Sequence, residues 1–104
     1  MRQVRESEIE RALREGVEAL EGEAFKFVST VAGVADRVVV LPYLPVYFVE
    51  LKRPGGRLRM LQEKHRTWLL SVGHKYVLLD SHAEVAKWLA ARAEDIAKRR
   101  GLYE

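Results

Sequence analysis

Asp36, Glu50 and Lys52 have the residue types and spacing for hydrolytic chemistry. Glu50 and Lys52 lie in the stretch VYFVELKRPGG, residues 46–56. A strand alternates its faces with period two. Val46, Phe48, Glu50 and Lys52 therefore share one side, and Tyr47, Val49 and Leu51 share the other. Charged pairs at wet strand ends are common, and an isolated Glu-x-Lys is weak. Here the pair continues a side that begins with Val and Phe, where a purely structural strand stays apolar. Asp36 opens the preceding strand after a Gly-containing turn, at the same end of a hairpin as Glu50. The loop RPGGR follows, and Gly55 and Gly56 let backbone N–H groups approach a phosphate. Two converging carboxylates suit a hard divalent cation, Mg²⁺ or Mn²⁺, which keeps water and phosphate oxygens as its other ligands. Lys52 beside it would orient the attacking water or stabilise charge on the phosphate.

The elements that must hold these residues follow from periodicity and breakers. The spacing predicts a helix over 5–21 with Ile9, Leu13, Val17 and Leu20 on one side. Strands are expected at 25–29, 36–41 and 46–52, the last two joined by PYLP as an antiparallel hairpin. A helix over 58–72 carries Leu61, Trp68, Leu69 and Val72 in its stripe and ends at Gly73. A strand KYVLLD comes next, then a last helix opened by Ser81 and Glu84 at capping-box spacing and running to about Arg100. Its stripe is Val85, Trp88, Leu89, Ala93 and Ile96. The helix between the third and fourth strands suits a parallel crossover. The expected fold is one α/β domain over 1–104, a mixed sheet with helices packed on it.

On these residues the chain resembles the VRR-NUC family, the virus-type replication-repair nucleases of the PD-(D/E)xK superfamily. The likeness is carried by GVADRVVVLPYLPVYFVELKRPGG, the following LQ and the later GHKYVLLDS, over about 6–89. It implies the restriction-endonuclease-like core, αβββαβ, with an extra C-terminal helix. It also implies that Asp36, Glu50 and Lys52 are the catalytic D…ExK set, with the Leu51 carbonyl as a further metal ligand. Gln62 matches the family's helix glutamine, and Lys26 and Ser29 match positions usually filled so in stand-alone phage members. Ala35 stands where the family usually has Pro before the aspartate, which loosens the entry to Asp36 but leaves its carboxylate.

Families of this type complete the metal site with a Glu from the first helix. Glu6 falls inside the apolar stripe and Glu10 flanks it, whereas Glu8, Glu15 and Glu18 point away. Ser7 and Glu10 also have capping-box spacing, which would make Glu10 a cap partner, so the choice stays open. Arg53, Arg57, Arg59, Lys64 and Arg66 form a basic run, read beside a metal site as a track for phosphates. His65 reads as a packed histidine, and Trp68 and Trp88 as core. No paired-His spacing for zinc is present.

Composition agrees with an intracellular globular protein. The chain has 104 residues, no cysteine and net charge +3. Its start, MRQVRESEIE, has no apolar segment of the secretory kind, and no run is long enough for a bilayer. The expectation is a cytoplasmic protein of a bacterial or phage-infected cell. It would be a DNA endonuclease acting on branched DNA such as Holliday junctions or flaps. The alternative is a non-catalytic nucleic-acid-binding module on a nuclease scaffold, but such a module should have lost part of the D…ExK set. Paired cuts call for a homodimer, with the last helix around Trp88 and the exposed PYLP as its expected contact surface.

Overall fold

The protein is described by a computed structural model that covers residues 3–103. Helix α1 (Glu6–Ala19) buries Ile9, Leu13 and Val17 completely, at the i, i+4, i+8 spacing of one helix face. It starts at Glu6 because the Glu8 carboxylate accepts a hydrogen bond from the Arg5 N–H at 2.9 Å. Three strands follow: β1 (Glu23–Lys26), β2 (Arg37–Val40) and β3 (Tyr47–Leu51). Helix α2 (Met60–Ser71), strand β4 (Lys75–Leu79) and helix α3 (His82–Tyr103) complete the chain. The N-cap of α3 is Ser81, whose Oγ accepts from the Glu84 N–H at 3.0 Å.

The sheet order is β1-β2-β3-β4. The first two pairings are antiparallel and β3–β4 is parallel, as a crossover through α2 requires. The expected α/β core with a mixed sheet and an additional last helix is thus present. Strand β1 begins two residues earlier than its apolar pattern suggests. Gly22 makes this possible, since a Cβ there would collide with the Val40 carbonyl oxygen. Past Lys26 only the Phe27 N–H still bonds across, to the Asp36 carbonyl at 2.8 Å, and the chain then leaves the ladder.

Tyr47, Val49 and Leu51 point into one core with α1 and α3. Trp88 is buried there and meets the Tyr47 ring edge-on at 5.2 Å. The last helix therefore offers no free Trp88 surface, contrary to the expected contact region. PYLP is also partly covered: Leu44 packs on the core and the Arg100 guanidinium lies 5.7 Å over the Tyr43 ring. Among the described residues, α2 is the helix that packs on the other sheet face. Of its expected stripe only Leu69 is buried, while Leu61, Trp68 and Val72 are exposed, Trp68 by 59%. The reading of Trp68 as core is overturned because α2 sets Gln62, His65 and Leu69 against the sheet instead. Among the described residues, no helix is long and apolar enough to cross a membrane.

Since α1 supplies so much of the single core, Leu13→Ala should lower unfolding free energy by about 2–5 kcal/mol. Urea titration of the two proteins measures it.

Candidate active site

The β2–β3 register brings the acidic residues together. Arg37 pairs with Val49, so Asp36 stands across from Glu50 on the α2 side of the sheet. Glu50 is 4% exposed, the one charged residue in the buried set of the described residues. Both of its oxygens are engaged. Oε1 accepts from Gln62 Nε2 at 2.8 Å and lies 3.6 Å from Lys52 Nζ. Oε2 accepts from the Asp36 N–H at 3.3 Å. Gln62 is itself fixed, because its Oε1 accepts from the Arg59 N–H at 2.8 Å at the start of α2. One side chain thus caps the helix and aims the carboxylate. The four residues expected to be catalytic, Asp36, Glu50, Lys52 and Gln62, converge.

The β1–β2 loop delivers Asp36 to this place. Gly33 adopts φ +89° and lies so close to α2 that a Cβ would strike the Leu61 carbonyl. This contact locks the loop to the helix that carries Gln62. Ala35, where a Pro was expected, is buried and anchors the loop by packing.

Asp36 Oδ2 lies 3.6 Å from Arg37 Nη1, but Oδ1 is buried with no hydrogen-bond partner. Burial pushes the Glu50 carboxyl above its usual range, and the neighbouring Asp36 charge pushes it further. Burial likewise raises Asp36, against the opposing pull of Arg37, backbone N–H groups and Lys52. The buried Glu50 carboxylate and the partly buried Asp36 carboxylate facing it, with one Asp36 oxygen unpartnered, are a donor set that gains from a divalent cation. Among the described residues no group of three acidic or histidine side chains forms a ready cage. The set fits an ion that takes one or two carboxylates and completes its shell with water and phosphate.

Arg37 was not singled out from the sequence. Its side chain is only 12% exposed, and Nη1 donates to the Asp36 carbonyl at 2.9 Å. Nη2 lies 3.8 Å from Glu10 Oε1. The signal was a cation on the face of β2 that otherwise points into the core. Arg37 also separates the two first-helix candidates. Glu10 is held toward Asp36 through this guanidinium and is not a cap partner. Glu6 is exposed and lines an open cavity of about 660 Å³ with Arg53, Arg5 and Glu8.

The phosphate-contact candidates are dispersed. Arg53, Arg57 and Arg59 are exposed around the loop that follows β3, beside Lys52. Gly55, at φ +79°, has open space around it, while a Cβ on Gly56 would crowd the Arg53 carbonyl at 2.9 Å. Lys26 sits opposite Arg37 in the ladder, on the face of Arg37 rather than of Glu50. Ser29 is exposed, and its Oγ accepts from the Val31 N–H at 3.0 Å. Lys64 is on the far side of α2 from Gln62, in a shallow hollow with Met60 and Trp68.

No family profile matches the chain. "Putative nuclease p44" of Acyrthosiphon pisum secondary endosymbiont phage 1 is 42% identical over 82 residues, which cover 78% of this chain and 88% of that protein. A solved structure titled "VRR_NUC domain" superposes with a TM-score of 0.77 at 24% identity, over 82% of this chain and 94% of that one. The sequence relative, the shared fold and the converged Asp36–Glu50–Lys52–Gln62 set lead to one assignment: the chain belongs to the VRR-NUC nuclease family.

Proposed function

We propose that this chain is a Mg²⁺- or Mn²⁺-dependent DNA endonuclease that acts as a homodimer on branched DNA such as Holliday junctions or flaps. The observation that carries the reading is the pairing of buried Glu50 with partly buried Asp36, whose Oδ1 has no partner. Asp36, Glu50 and the Leu51 carbonyl would hold the cation, with Glu10 in reach of the site through Arg37. A cation bound there supplies Lewis acidity toward the scissile phosphate and makes a water more acidic. The protein's own residues do the rest. Gln62 fixes Glu50 in advance, so the acidic pair needs no reorganisation when substrate arrives. Lys52 offsets negative charge that develops on a phosphate oxygen beside the pair. Arg53, Arg57 and Arg59 hold the flanking phosphates, and backbone N–H groups at Gly55 and Gly56 can add to this. The intact acidic set and Lys52 speak against a non-catalytic binding module. Paired subunits suit a four-way junction, which needs cuts on two strands.

Neutralising Arg57 and Arg59 together should weaken binding alike for all DNA sequences. It should also reduce the slope of log K against log salt by about 0.9 per lost phosphate contact. Fluorescence anisotropy at several salt concentrations reads this, and an unchanged slope would return both residues to plain solvated surface. The substrate reading is tested by cleavage of linear, splayed, flap and four-way DNA of matched sequence. The four-way or flap form should be cut fastest, and equal rates on all forms would contradict structure selectivity.

A further inference from the structure

Arg37 stands where packing alone would place an apolar side chain. It shares a face of β2 with Val39, which is fully buried in the core with α1. A guanidinium that is only 12% exposed is costly unless polar partners surround it. Among the described residues, those partners belong to Asp36 and to α1. Nη1 donates to the Asp36 carbonyl at 2.9 Å and lies 3.6 Å from Asp36 Oδ2. Nη2 lies 3.8 Å from Glu10 Oε1.

The place gripped in this way is the entry of Asp36 into the sheet. The Asp36 N–H donates to Glu50 Oε2 at 3.3 Å. The Asp36 carbonyl accepts from the Phe27 N–H at 2.8 Å as well as from Arg37. With Ala at position 35, no proline ring fixes the backbone that leads into Asp36. A planar fork with one prong on the Asp36 carbonyl and the other toward α1 supplies stiffness there. Glu10, for its part, has little charge left for a cation. The oxygen that meets Arg37 also lies 3.9 Å from Arg14 Nε, so two guanidiniums share it.

We propose that Arg37 is a positioning residue for the metal site: its fork ties Asp36 to α1, and Glu10 serves the site through that fork and not as a ligand. The proposal rests on the metal-site reading above and adds how the first helix takes part in it. A lysine cannot replace the fork, because one ammonium lacks the second prong. The tie also sets a sign. Arg37 is a cation close to Asp36 Oδ2, so as a bare charge it repels a divalent ion there. Were that its whole effect, its removal would tighten cation binding. As the group that holds Asp36 in place, its removal weakens binding.

The test has a cation-free arm and a cation arm. In EDTA, NMR hydrogen exchange should show the Asp36 and Phe27 amides exchanging faster in Arg37→Met and in Glu10→Ala than in wild type. The amides of Val17 and Val85, remote from the tie, should exchange as in wild type, and circular dichroism should match. By calorimetry, Arg37→Met should bind Mn²⁺ about 10–100-fold more weakly. Arg37→Lys should also fall short of wild type. Glu10→Ala should weaken Mn²⁺ binding in the wild-type background and add nothing in Arg37→Met. Tighter or unaltered binding by Arg37→Met overturns the proposal, as does an Arg37→Lys protein that matches wild type. Further weakening when Glu10→Ala is added to Arg37→Met makes Glu10 a ligand and overturns it too. Unaltered exchange at Asp36 and Phe27 in both variants overturns the tie. Glu50→Gln separates the two readings. If it binds Mn²⁺ as wild type does, the metal-site reading has failed, and the exchange arm still decides whether Arg37 holds Asp36.

Discussion

Glu50→Gln and Lys52→Ala should each reduce DNA cleavage by about 10²–10³-fold or more while DNA binding stays close to wild type. Glu50→Gln keeps the shape of a side chain that is 4% exposed and removes the charge a cation requires. Lys52→Ala removes an ammonium placed 3.6 Å from that carboxylate. Neither belongs to the exposed arginine set that should carry most of the affinity for phosphates. Single-turnover cleavage at saturating protein separates rate from binding. A Lys52→Ala protein that cuts at wild-type rate would remove this residue from the chemistry.

Mg²⁺ or Mn²⁺ at about 100 times its Kd should stabilise the protein by about 2.7 kcal/mol. For a domain of this size each kcal/mol corresponds to about 4–8 °C in Tm. The gain should largely vanish in Glu50→Gln. Without cation, the acidic pair sets an opposite pH trend. The Glu50 and Asp36 carboxyls are both raised by burial, so the folded protein holds protons to higher pH than the unfolded chain. Their contribution to stability is present at acidic pH and is lost as pH rises through the raised carboxyl range. Adding cation near neutral pH should restore it. Differential scanning calorimetry with EDTA, Mg²⁺ and Mn²⁺ across pH 4–8 reads both effects. The same Tm with and without cation at neutral pH would count against a metal site at this pair.

The strand alternation at residues 46–52 was enough to place Glu50 and Lys52 on one face, and the short PYLP connection brought Asp36 to the same end. Both signals are local, because period two and a tight hairpin leave little freedom. The α2 surface was harder to read. Its apolar residues suggest a buried stripe, but the helix sets Gln62, His65 and Leu69 against the sheet instead. The spacing of Leu61, Trp68 and Val72 shows that they share a flank; it does not show what covers the flank. The expected dimer contact at Trp88 failed for a related reason. Tyr47 and Arg92 fill that part of the core, and Arg92 lies 5.4 Å over the Trp88 ring. Arg37 was missed because a cation next to an aspartate reads as a strand end. Only the packing of α1 against the sheet shows it bridging toward Glu10.

The central claim is that the Asp36–Glu50 pair makes this chain a cation-dependent nuclease. Its most direct measurement is cleavage of four-way and flap DNA by protein stripped with EDTA, followed by return of Mg²⁺ or Mn²⁺. The account predicts no cleavage in EDTA and recovery with either cation. Cutting that persists in EDTA, or intact DNA of every form with both cations present, would contradict it.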